Sequence, residues 1–151
     1  MARGYFAIGI ENNKTPSNLG TLWRSAYTFG AAYIFTIHRR YPPQASDTVK
    51  AWRHVPLFSF ETLADCVKAL PRECLLIGIE QCDRAKDLET FYHPERAVYL
   101  LGAEDSRLSA QAQGMCHHII AIQSRLCLNV AVAGSIVMYH RQSQVDNVRR
   151  T

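Results

Sequence analysis

The sequence predicts an α/β domain built on a mostly parallel sheet with helices on both faces. Five short apolar runs alternate with four segments of helical periodicity, the order that strand–helix–strand units impose on a parallel sheet. A length of 151 residues, 48% of them hydrophobic and 20% charged, suits one ordinary soluble domain that buries a core without disulfides or metal. No internal repeat and no interior boundary is visible, so residues 1–151 read as a single domain.

Tyr5 to Ile10 is the first expected strand, and Asn18 to Phe29 the first helix. At about 100° per residue, Leu19, Leu22, Trp23, Ala26 and Tyr27 fall on one arc and Asn18, Thr21, Arg24, Ser25 and Thr28 on the other. Ser17 is the expected N-cap. Taken alone, Arg24 is what a solvated helical face ordinarily carries. Ala32 to Ile37 is the second strand. The segment from His38 to Pro56 is long for a connection and mixes Arg39, Arg40, Lys50 and Arg53 with Tyr41, Trp52 and His54. Such a set can meet phosphates with its cations and unpaired bases with its rings. A surface loop with Trp52 tucked into the core accounts for it equally well.

Further along, Thr62 to Leu70 reads as a helix, Cys74 to Ile79 and Ala97 to Leu101 as strands, Ser109 to Gly114 as a helix and Ile119 to Ile122 as the fifth strand. The last helix runs from Asn129 to about Gln142. Its residues Val130, Ala131, Val132, Ala133, Ile136, Val137, Met138 and Tyr139 leave almost no polar face, so it is expected to be covered on all sides. One side can lie on the sheet while the other meets a second copy, which predicts a homodimer through this helix. The small residues Ala131, Ala133, Gly134 and Ser135 would admit either the partner's backbone or the domain's own first helix.

Composition narrows the function classes. The five cysteines form an odd set without a C-x-x-C pair, and the start carries no secretory signal, which predicts reduced thiols in the cytoplasm. Cys116-His117-His118 lacks a second cluster to complete a ligand set, so no metal is expected. The longest apolar stretch, Val130 to Tyr139, is too short to cross a bilayer. A net charge of +4 permits an anionic partner such as RNA without requiring one.

Three motifs then carry a resemblance: Asn18-x-Gly20-x-x-x-Arg24-Ser25-Ala26, Leu100-Leu101-Gly102-Ala103-Glu104 after a strand, and Leu128-Asn129-Val130 opening the last helix. In that order, and over essentially the whole chain, they resemble the SpoU/TrmH branch of the SPOUT methyltransferases. The resemblance implies a C-terminal deep trefoil knot that forms an S-adenosylmethionine pocket, a dimer, and a ribose 2′-hydroxyl of tRNA or rRNA as acceptor. It implies that Arg24 acts on that hydroxyl. Because a guanidinium is a poor proton acceptor, clamping a phosphate or stabilising the nascent alkoxide is its easier task. By the same resemblance Asn18 and Asn129 orient the hydroxyl or ribose, and Glu104 holds Arg24 or its loop. Ile79, Gly102, Ile122, Cys127 and Leu128 are the expected cofactor contacts, and Arg125 joins Arg39, Arg40, Lys50, Trp52 and Arg53 as an expected RNA contact.

The chain departs from that family at three places. Asp105 and Arg107 stand where further glycines are usual, Cys127 replaces a serine, and the segment Ile122 to Cys127 lacks the usual proline and glycine and is shorter. These departures keep open a second reading, an RNA-binding module of the same fold with weakened catalysis. An oxidoreductase is a more distant alternative, because no G-x-G-x-x-G follows the first strand.

Overall fold

The computed structural model describes residues 4–38, 50–103 and 107–150. Seven strands are joined in one sheet: β1 (Tyr5–Glu11), β2 (Ile34–Ile37), β3 (Leu57–Phe60), β4 (Leu75–Ile79), β5 (Lys86–Asp87), β6 (Arg96–Gly102) and β7 (His118–Ala121). Their order is β3-β2-β1-β6-β4-β7-β5, and every pairing is parallel. Helices α1 (Pro16–Phe29) and α4 (Val130–Arg150) contribute to the core on one face, while α2 (Leu63–Lys68) and α3 (Ala110–Met115) contribute to the core on the other. Ile8, Ile10, Tyr99 and Leu101 of the central strands alternate with Ala7, Val98 and Leu100, so each strand feeds both cores. No helix among the described residues is long and apolar enough to cross a membrane.

The structure corrects several expectations. Strands β3 and β5 join the sheet at its two edges, beyond the five expected. Strand β2 starts at Ile34, two residues later than expected, and β7 stops before Ile122. The N-cap of α1 is Thr15 instead of Ser17, because Pro16 takes the first helical position, where its missing N–H costs nothing. Trp52 stays 37% exposed, and the indole buried against this region is that of Trp23, whose Nε1 donates to the Val55 carbonyl at 2.8 Å.

Helix α4 is longer than expected and is not covered all round. Val130, Ala131, Val137 and Met138 are buried, whereas Val132, Ile136 and Tyr139 are 45%, 36% and 62% exposed. The small residues resolve toward the domain's own packing at Gly134. A Cβ there would stand 2.5 Å from Leu22 Cδ1 of α1 and 3.1 Å from Leu101 Cδ1 of β6. Beside it, the hydroxyls of Ser135 and Ser25 share a hydrogen bond of 2.7 Å.

Farther along α4 a buried polar cluster pins the helix to the start of β6. The Arg141 guanidinium donates to the carbonyls of Pro94 and Glu95, each at 2.7 Å, and to the Tyr99 hydroxyl at 3.2 Å. The His93 ring bridges Tyr99 Oη at 2.6 Å and His140 Nδ1 at 2.9 Å. Burial, with the charges of His140 and Arg141 adding to it, pushes the His93 pKa from its ordinary 6.5 down to about 3. The unfolded chain therefore binds a proton that the folded chain refuses, so this contribution to stability is intact above pH 6.5 and is lost progressively toward pH 3. In thermal melts across that window, His93→Gln is expected to lose less stability with acid than the parent. Parallel curves would locate the acid sensitivity elsewhere.

Candidate active site at the carboxyl ends of the strands

The register aligns the carboxyl ends of the central strands, with Glu11 of β1 opposite Gly102 of β6 and Leu101 of β6 opposite Ile79 of β4. In open parallel sheets this edge, where successive strands depart in opposite directions, is where ligands bind. Here a cavity of about 230 Å³ opens between the ends of β4 and β6 and the start of α4, walled by Ile79, Glu80, Gln81, Gly102, Cys127 and Leu128 among others. A second cavity of about 80 Å³ shares Ile79, Glu80, Gln81, Cys127 and Leu128 and adds Ile122 and Ser124. Of the residues expected to contact a cofactor, Ile79, Gly102, Cys127 and Leu128 thus line the larger cavity and Ile122 the smaller one, which shares three of them.

The local structure explains how the walls form. Gly102 is required by close approach, because a Cβ would lie 2.5 Å from the Leu108 amide nitrogen and 2.9 Å from the Arg107 carbonyl carbon. The segment after β7 is tied to the loop after β4, as Gln81 Nε2 donates to the Ile122 carbonyl at 2.9 Å and to Ser124 Oγ at 3.2 Å. Gln123 Nε2 also reaches Asp87 Oδ1 at 2.6 Å. Glu80 and Arg107 are the charged residues of the larger cavity's wall, and the rest is apolar side chain, small residue or amide. A concave wall of this kind, mostly apolar with a few polar and charged groups, suits a small-molecule ligand.

Beside the cavity, Asn129 precedes the wall residue Val130. Its Oδ1 accepts from the amides of Ala131 at 2.9 Å and Val132 at 3.2 Å, capping α4. Its Nδ2 donates to Asn18 Oδ1 of α1 at 2.9 Å, so the two motif asparagines meet across 111 residues of sequence.

Arg24 is not brought into this group. It stands on the exposed face of α1, outside the cavity wall, and its carbonyl accepts from Thr28 Oγ at 2.9 Å. Farther along that helix, Tyr27 stacks on His54 with ring centroids 4.5 Å apart, and the Arg53 guanidinium lies 5.1 Å from the centre of the neighbouring Trp52 ring. Lys50, Trp52 and Arg53 therefore form an exposed basic and aromatic patch next to α1. Arg125 is exposed on the separate segment between β7 and α4. Glu104, Arg39 and Arg40 lie outside the described residues.

Sequence reasoning missed the Tyr27–His54 stack and two carboxylates, Glu11 and Glu80. The helical period puts Tyr27 on the apolar arc, where its ring reads as core. The signal that could have found the carboxylates is their position, each a lone acid directly ending an apolar strand. Among the described residues no group of three or more His, Cys, Asp or Glu side chains is placed to hold a metal ion.

Comparison with known proteins adds a family to this geometry. The family model described as the SpoU rRNA Methylase family matches residues 5–139. An uncharacterized tRNA/rRNA methyltransferase of Archaeoglobus fulgidus is 27% identical over 146 residues, covering 92% of this chain and 65% of that protein. The chain thus spans just under two thirds of that relative's length. Among solved structures, the SpoU methyltransferase AviRb of Streptomyces viridochromogenes in complex with AdoMet superposes with a TM-score of 0.85 at 17% identity, over 97% of this chain and 63% of AviRb. A structure described as giving insights into the 2-OH methylation of C/U34 on tRNA matches with a TM-score of 0.81 at 21% identity, over 97% of this chain and 99% of that one. These structural likenesses establish a shared fold.

Proposed function

The chain belongs to the SpoU rRNA methylase family, and from that premise we propose that it methylates RNA with S-adenosylmethionine, at a ribose 2′-hydroxyl of tRNA or rRNA. The observation that carries this reading is the convergence of Ile79, Gly102, Cys127 and Leu128 on one cavity, with the Asn18–Asn129 pair beside it. Bound there, S-adenosylmethionine supplies a methyl group on a sulfonium whose leaving group is neutral. The protein is then left chiefly to position the acceptor and to manage its proton. Asn18 and Asn129 orient the acceptor, and Arg24 clamps a phosphate or steadies the nascent alkoxide. Glu104 supports Arg24 or its loop.

The patch of Lys50, Trp52 and Arg53, with Arg39, Arg40 and Arg125, would hold the RNA by its phosphates and unpaired bases. Two further parts of the reading concern architecture. Strand β7 lies between β4 and β5, and the chain that leaves it for α4, beside α1, is proposed to close a deep trefoil knot. The exposed row Val132, Ile136 and Tyr139 of α4 is proposed as the contact between two copies, since an uncovered apolar stripe on a packed helix is most economically buried against its own twin.

The deciding experiment is transfer of labelled methyl from S-adenosylmethionine to small RNA from cells that lack this gene. Ribonuclease-sensitive label on ribose 2′-oxygen supports the reading. Label on a base would keep the enzyme and replace the acceptor, and RNA binding without label would leave a binding module. A thiol reagent gives an independent check of the cavity. Cys127 is exposed, whereas burial pushes the thiols of Cys66 and Cys116 up to about 12 and about 11. Modification of Cys127 is therefore expected to outpace theirs and to slow as S-adenosylmethionine fills the cavity. Unchanged modification at saturating cofactor would remove Cys127 from the wall of the cofactor site.

A further inference from the structure

Two carboxylates at the ends of β1 and β4, the strands that flank β6, converge on the same short segment. Glu11, 2% exposed, ends β1; its Oε1 accepts from the Ser109 amide and its Oε2 from the Ser109 hydroxyl, both at 2.8 Å. Glu80 directly follows β4; its Oε2 accepts from the Leu108 amide and its Oε1 from the Gln81 amide, also both at 2.8 Å. The Leu108 carbonyl is satisfied as well, by Gln113 Nε2 at 2.9 Å, and Ser109 Oγ caps α3 through the Ala112 amide at 3.1 Å.

The segment held in this way forms part of the cavity. The peptide between Arg107 and Leu108 lies directly on Gly102, and both Arg107 and Gly102 belong to the cavity wall. Glu80 belongs to the same wall from the β4 side, so its bond to Leu108 ties one wall of the space to the other. A charged acceptor on a buried amide is about twice as strong as a neutral one, and its removal leaves that amide without a partner.

We infer that Glu11 and Glu80 are positioning residues, which hold Arg107 to Ser109 against Gly102 and thereby set the width of the cofactor cavity and its affinity. This inference rests on the reading of the cavity as an S-adenosylmethionine site. It goes beyond that reading in assigning cofactor affinity to two acids that need not touch the ligand.

The test pairs Glu80→Ala with Glu80→Gln and measures binding of S-adenosylmethionine by calorimetry, together with amide hydrogen exchange. Glu80→Ala is expected to weaken binding about tenfold or more and to release the amides of Leu108 and Ser109 while those of β1 and β6 stay protected. Glu80→Gln keeps an acceptor for Leu108, since the Gln81 amide lies at the surface and can turn to water; it is expected to bind within about threefold of the parent. Equal losses in both variants would overturn the inference, because they would mean that the charge of Glu80 acts on the ligand directly. Unchanged binding in both would overturn it too.

For the other arm, Ser109→Ala removes the hydroxyl partner of Glu11 without unburying a charge, so it is informative even where Glu11→Ala does not fold. It is expected to loosen the same amides and weaken binding severalfold; parent-like exchange and binding would remove the hydroxyl bond to Glu11 from the assignment and leave Glu11 only its bond to the residue-109 amide, which this variant keeps. If the unaltered protein bound no S-adenosylmethionine, the cofactor reading and this inference would fall together. Parent binding with indifferent variants would sink the inference alone.

Discussion

Replacing Arg24 with Ala is expected to cut methyl transfer to RNA about a hundredfold to a thousandfold while leaving the fold and S-adenosylmethionine binding unchanged. The side chain stands on the exposed face of α1 and takes no part in the cavity wall. Leu19, Leu22, Trp23 and Ala26 carry the packing of the helix, and alanine favours a helix at least as well as arginine. A surface change of this kind shifts stability by no more than about 0.5 kcal/mol. The loss should therefore appear in the turnover rate, with cofactor affinity and melting temperature at parent values. Arg24→Lys separates two roles. A lysine restores the charge but not the planar fork, so an intermediate rate points to two-point clamping of a phosphate and a near-parent rate to simple charge stabilisation. Parent-like activity in Arg24→Ala would remove the residue from the reaction.

The order of strands and helices was legible because parallel strands buried on both faces read as unbroken apolar runs, and β1, β4 and β6 are of this kind. The two strands that were missed lack that signal. Leu57–Phe60 is a half-exposed edge strand of four residues, and Lys86–Asp87 is a charged pair that is a strand only because β7 lies beside it. Partnership of that sort is tertiary and leaves no local pattern. Helix α4 was misjudged for a related reason. Its apolar composition is real, but Arg141 is buried among carbonyls while Tyr139 is exposed, so the sides were assigned by neighbours far away in sequence. Of the small residues that left this choice open, Gly134 goes to the domain's own packing, where it meets Leu22 and Leu101.

The candidate site divides along the same line. Gly102, Cys127, Leu128 and the two asparagines were legible because motifs at strand and helix ends bring them to one edge of the sheet. Glu11 and Glu80 were not. A glutamate ending an apolar run reads as a solvated charge until its partners, 98 and 28 residues away, are placed on it. Arg24 was legible as a motif residue, but its separation from the cavity appears only once α1 has been oriented on the sheet.

Asn129 offers the sharpest separation of stability from function, because its two amide atoms do different work. Oδ1 caps α4 through the amides of Ala131 and Val132, and Nδ2 holds Asn18. Asn129→Ala loses both; a lost cap costs about 1 kcal/mol, which in a domain of this size lowers the melting temperature by roughly 2–4 °C. Asn129→Asp keeps an equally good cap and adds a negative charge at the positive end of the helix dipole, so its melting temperature is expected to match or exceed that of the parent. The carboxylate has no hydrogen to give Asn18, whose amide must turn over or lose its partner. Methyl transfer in Asn129→Asp is therefore expected to fall about tenfold or more in a protein at least as stable as the parent. A parent rate in that variant would reduce the Asn18–Asn129 contact to helix capping, and acceptor orientation would then have to come from Arg24 and the RNA itself.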